Sequence, residues 1–97
     1  MKLKEFKLTI DKQYKIIFDF DTFINFEEMK DKSIEEITNR IDDILTLMYC
    51  AIISNNEFDM EYKEFRKWLN NYPESVGKFT KLFIERNAPV DDDNKKK

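Results

Sequence analysis

An α+β fold that is mainly helical, with an N-terminal two-stranded antiparallel β-hairpin followed by about four α-helices, is what three features of this sequence predict. Residues 6–20 alternate apolar and polar side chains with period two, as half-buried strands do. Residues 22–86 instead carry apolar side chains at helical spacing, interrupted by capping residues. A chain of 97 residues, 41% hydrophobic and 14% aromatic, can build one core and not two.

The strands come first. Phe6, Leu8 and Ile10 alternate with Lys7 and Thr9, and Tyr14, Ile16, Phe18 and Phe20 with Lys15, Ile17 and Asp19. In an antiparallel pair, facing residue numbers have a constant sum, and only an even sum puts both apolar sets on one face. Ile10 is therefore expected opposite Tyr14, with Asp11, Lys12 and Gln13 as the loop. Such a hairpin is marginal alone, so its Phe-rich face has to be covered by the helices that follow.

Asp21 is a candidate N-cap for a short helix over residues 22–30, with Phe23, Phe26 and Met29 on one side. Ser33 followed by Glu36 matches a capping box and predicts the start of a long helix over residues 34–54. Its core stripe would run through Ile34, Ile37, Ile41, Ile44, Leu45, Met48 and Ile52. From Leu47 onward the sequence is apolar nearly all round, so Leu47, Cys50 and Ile53 are either covered by later helices or left as a contact patch. Asp59 can cap a third helix bearing Tyr62, Phe65, Trp68, Leu69 and Tyr72. Pro73 suits the first turn of a fourth, with Val76, Phe79, Leu82 and Phe83. One globular domain over residues 1–87 is expected, followed by a flexible charged tail, 88–97, reading APVDDDNKKK.

Composition argues against most chemistry. The chain has no His, the residue most used for acid and base work near neutral pH and for transition-metal binding. Its acidic pairs, Asp19 with Asp21, Glu27 with Glu28 and Asp42 with Asp43, read as solvated surface, because adjacent acids on a helix point about 100° apart. The run Asp91 to Asp93 lacks the spaced ligands of a calcium loop, and a single Gly rules out a glycine-rich phosphate loop. Cys50 has no activating neighbour in sequence and reads as a buried structural thiol. A net charge of −3 disfavours nucleic acid. No apolar run approaches the roughly 18 residues that span a bilayer, and no signal-peptide core is evident, so a cytoplasmic setting is expected. No enzyme, cofactor or metal is expected; binding to other proteins is.

The runs KLTIDKQYKIIFDFDTFINFEEM, DKSIEEI and LTLMYCAI, taken in that order, resemble the tail assembly chaperones of long-tailed bacteriophages. The positions that carry the resemblance are Phe18, Asp19, Phe20, Phe26, Glu27, Ser33, Ile41, Leu47, Met48, Ala51 and Phe58, within residues 4–86. The loop Asp11-Lys12 departs from the Asn-Gly or Asp-Gly turn common in that family, and the third helix is unusually aromatic. The resemblance implies a protein of the infected cell's cytoplasm that coats the tape-measure protein during virion assembly and helps recruit tail-tube protein. The client groove expected on this reading combines the far end of the second helix with the third: Leu47, Cys50, Ile53, Tyr62, Phe65 and Trp68. It also implies a frameshifted longer product, for which consecutive Lys codons at residues 95–97 would supply a slippery run.

A small acidic regulatory or inhibitor protein, from a phage or a bacterium, fits the same composition, and self-association into a homo-oligomer stays open. Lys2, Lys4 and Lys7 along the first strand guard its edge against stray pairing.

Overall fold

The structure is a computed structural model that describes residues 3–87; the tail read at 88–97 lies outside the described residues. Alternation does what period two requires. Phe6, Leu8, Tyr14 and Ile16 are buried on one face, while Lys7, Thr9, Gln13 and Lys15 between them are exposed. Strands β1 (Phe6–Thr9) and β2 (Gln13–Ile16) pair antiparallel, with Phe6 opposite Ile16 and Leu8 opposite Tyr14. This corrects the expected partner of Tyr14, which is Leu8 and not Ile10. Both registers keep the apolar residues on one face, so face parity alone does not choose between them. The turn chooses. Ile10, Asp11 and Lys12 form it, with the Ile10 N–H donating to the Lys12 carbonyl at 2.9 Å and the Tyr14 hydroxyl donating to Asp11 at 2.8 Å. No residue of this loop has positive φ, so it needs no glycine.

Helix α1 (Phe20–Lys30) begins two residues before the expected start. Its N-cap is Asp19, not Asp21: the Asp19 carboxylate accepts from the Thr22 N–H at 3.0 Å and the Thr22 hydroxyl at 2.9 Å. Asp31 ends the helix in the left-handed region (φ 54°), one of the few non-glycine types that tolerates it, and its N–H returns to the Glu27 carbonyl at 2.8 Å.

The capping box at Ser33 and Glu36 forms, yet it launches only a single 3₁₀ turn, Ile34–Glu36. The long helix α2 starts later, at Ile41, and runs to Asn55. Helix α3 (Tyr62–Leu69) opens after Glu61, whose N–H donates to the Glu64 carboxylate at 3.2 Å, and not after the expected Asp59. Helix α4 (Pro73–Asn87) has proline at its first position, where the missing N–H has no intrahelical partner to lose.

The hairpin's buried face lies on α2 and α4, and α1 runs antiparallel to α2. Asn25 meets Ser54 at one end of that pair (2.9 Å) and Lys30 meets Asp43 at the other (3.3 Å). Phe18, just past β2, is the hub, with ring centroids of Phe6, Phe79 and Phe83 at 5.9, 5.7 and 5.5 Å. The outer edge of β2 is held by a side chain. Asn56 accepts from the Lys15 N–H at 3.0 Å and donates to the Lys15 carbonyl at 2.8 Å, reproducing one rung of a third strand. No helix among the described residues is long and apolar enough to cross a membrane.

Candidate protein-binding surface

The titratable groups of α2 are the natural place to look for chemistry, and they are already committed. Asp43, its side chain only 4% exposed, accepts from Lys32 Nζ, the Thr38 N–H and the Thr38 hydroxyl, each at 2.8 Å, with Lys30 Nζ at 3.3 Å. Burial by itself would raise its pKa. The Lys32 hydrogen bond, both Thr38 donors and Lys30 outweigh that and hold the carboxyl well below the usual range. Asp42 pairs with Lys30 and accepts from the Tyr62 hydroxyl at 3.2 Å; chiefly the Lys30 hydrogen bond lowers its pKa. These contacts tie residues 30–38 to the start of α2 as a structural clasp. Cys50 is wholly buried, its thiol pushed up to about 12 by burial, with the Met29 sulfur at 3.6 Å.

Among the six residues expected to line a client groove, Leu47, Cys50 and Phe65 are completely buried and offer no surface. The correction has a packing cause. Met29 of α1 lies against Cys50 on one side of α2, and Tyr49, Phe58, Tyr62, Phe65 and Trp68 close into one aromatic cluster on another. Ile53, Tyr62 and Trp68 are half-buried. The Tyr62 hydroxyl is engaged by Thr46 at 3.0 Å, and the Trp68 ring is flanked by Tyr14, Phe58 and Tyr72 at centroid separations of 6.4, 5.8 and 5.4 Å. Leu47, Cys50 and Phe65 therefore belong to the core, Tyr62 and Trp68 pack half-buried against it, and Ile53 keeps partial exposure.

Apart from Met29 and Ile84, the exposed large apolar side chains among the described residues stand in two places. The first is at the start of α1. Phe20 is 83% exposed, Ile24 follows one turn later at 49%, and Leu3 stands nearby at 45%. A groove of about 550 Å³ runs between Leu3, Phe18, Phe20 and Phe23, and among the described residues its charged lining is Asp19 and Asp21. The second is at the opposite end of α2, where Ile41 is 61% exposed and half-buried Leu45 lies one turn on. They flank a groove of about 400 Å³ whose other walls are Arg66 and Leu69 of α3 and Pro73, Val76 and Gly77 of α4. Lys63 and Lys67 stand beside Arg66 over Leu45.

With Asp21 as the cap, Phe20 falls at the end of the second strand and its exposure is not legible in the sequence. Asp19 with Thr22 three residues on is the signal that places Phe20 in the first turn. A stripe continuous through residues 37–40 places Ile41 in the core, but Thr38 and Asn39 are weak helix formers and α2 starts only at Ile41, which is exposed. Comparisons with protein-family models, with curated proteins and with solved structures give no match in any of the three. The two faces themselves therefore carry the functional reading.

Proposed function

We propose that this chain is a non-enzymatic, protein-binding chaperone that holds an apolar helical segment of a client, and that the client is the tape-measure protein of a long-tailed phage. One observation carries the reading: Phe20, a large ring, is 83% exposed beside a groove of about 550 Å³ whose walls are Leu3, Phe18 and Phe23 with Asp19 and Asp21 at its edge. A ring held at a helix start is a low-entropy anchor of the kind that dominates interfaces, and a groove beside it accepts the apolar face of a helix. A tape-measure protein exposes long apolar helical stretches until the tube encloses them. The non-enzymatic part is supported by the commitment of Asp42 and Asp43 to lysines and by the buried, unactivated Cys50. The resemblance of the hairpin and α1 sequences to tail assembly chaperones supplies the client's identity, and with it recruitment of tail-tube protein in the host cytoplasm.

The test is capture of the tape-measure protein encoded by the same genome on the immobilised chain, with Phe20→Asp as the variant. The intact chain should retain it, and the variant should bind at least about tenfold more weakly with an unchanged circular dichroism spectrum. Failure to retain the tape measure, with one unrelated protein captured from host lysate in its place, would transfer the surface to an inhibitor. Equal binding by the variant would move the client off this groove.

A further inference from the structure

The register of the hairpin determines which backbone groups of β1 are left over. In an antiparallel pair, residues that exchange hydrogen bonds alternate with residues whose N–H and C=O both point away from the partner strand. The Ile10 N–H donates to the Lys12 carbonyl, and Lys15 turns its N–H and carbonyl outward to Asn56. With Leu8 opposite Tyr14 and Lys7 opposite Lys15, the Phe6 and Leu8 backbones therefore bond to β2, and Lys7 and Thr9 direct their N–H and C=O to the outer edge of β1. Among the described residues no hydrogen bond reaches those outward groups, whereas Asn56 occupies their counterparts on β2.

A groove of about 380 Å³ follows this edge. The strand from Lys7 to Thr9 is one wall, and Lys78, Lys81 and Leu82 of α4 are the other. Glu85 also lines it, and its carboxylate is held by Lys4 at 3.1 Å; Lys7 is paired with Glu5. Lys78 and Lys81 are exposed and, among the described residues, make no salt bridge.

We infer that this edge is a docking site for an extended, acidic segment of a partner protein, which adds to β1 as a third strand in the groove beside α4. The surface differs from the groove beside Phe20, and the inference does not rest on the client reading. Backbone donors and acceptors presented at alternate residues are matched by another strand, and a helix, whose own backbone groups are paired internally, cannot match them. Charge selects the strand. Side chains of an added strand that point toward α4 meet Lys78, Lys81 and the apolar Leu82, so carboxylates at alternate positions complement that wall. A second copy of β1 does not fit, because it would bring its own Lys4 and Lys7 against Lys7, Lys78 and Lys81.

Amide hydrogen exchange on the full chain tests this, with two capped peptides of about eight residues as probes, one alternating Val with Asp and the other Val with Lys. Without peptide, the Lys7 and Thr9 amides should exchange freely while the Leu8 amide is protected by β2. The Val-Asp peptide at millimolar concentration should slow exchange at Lys7 and Thr9 by at least about tenfold and leave Leu8 as it was. The Val-Lys peptide should have no such effect. The double variant Lys78→Glu with Lys81→Glu, its fold checked by circular dichroism, should reverse that preference. Unchanged exchange at Lys7 and Thr9 with the Val-Asp peptide, equal slowing by both peptides, or a double variant that keeps the wild-type preference would each overturn the inference. Protection of Lys7 and Thr9 before any peptide is added would overturn it as well: if independent of chain concentration it would assign the edge to residues 88–97, and if rising with concentration, to a second copy. Phe20 does not line this groove, so these outcomes leave the tape-measure reading untouched.

Discussion

Replacing Asp43 by Asn should cost more stability than any other single polar substitution in this chain. Asp43 takes three hydrogen bonds of 2.8 Å and a fourth contact of 3.3 Å, two of these four from ammonium groups, in a site where its own side chain is 4% exposed. Removing one partner of a buried, hydrogen-bonded ion pair costs about 3–5 kcal/mol. Lys30 and Lys32 keep 20% and 28% of their side-chain exposure and can turn to water, which places the expected loss at the low end, about 3 kcal/mol. The effect has a pH signature. The Asp43 carboxyl titrates lower in the folded chain than in the unfolded one, so its contribution is complete above the unfolded-state value of about 4 and is lost as pH falls below that. Urea denaturation followed by fluorescence of the single Trp68 would measure both chains at pH 7 and again near pH 3. The gap between them should shrink markedly at the lower pH. A loss below about 0.5 kcal/mol at pH 7, or a gap that does not change with pH, would refute the clasp as a stabilising device.

Four further outcomes follow from the packing. Cys50 should resist thiol reagents at pH 8 in the folded chain and react at the rate of unfolding, since burial holds it at about 12; labelling kinetics against urea concentration would show this. Phe18→Ala should destabilise by about 3–5 kcal/mol in the same denaturation assay, because its ring is buried against three others. Gly77→Ala should stabilise by about 0.5–1 kcal/mol, read as a higher urea midpoint: Gly77 is inside α4, and an added Cβ meets nothing within 4 Å. Asn56→Ala should cost about 1–2 kcal/mol by leaving the Lys15 backbone without its side-chain partner, and hydrogen exchange at the Lys15 amide should accelerate more than at Leu8.

The hairpin shows how far pattern reaches. Alternation identifies both strands and the face they bury, but a shift of two residues leaves the alternation unchanged, so the partner of Tyr14 is settled by the loop geometry around Asp11. The start of α2 shows the opposite case. The Ser33–Glu36 box is legible and does form, but whether helix continues through residues 37–40 depends on Asp43. That carboxylate captures the Thr38 N–H only because Lys30 and Lys32 arrive beside it from α1 and the turn after it.

Local rules act within about one turn of chain, and what they govern was readable from the residues alone: one hairpin, a capped short helix, an apolar α2, a proline-led α4, and a core rich in aromatic rings. Which apolar residues stay outside was decided by the tertiary structure. Leu47, Cys50 and Phe65 are hidden by elements distant in sequence, while Phe20 and Ile41 stand exposed among the described residues at the two ends of α2. Exposure is a property of what packs against a side chain, and periodicity within its own helix does not contain that information.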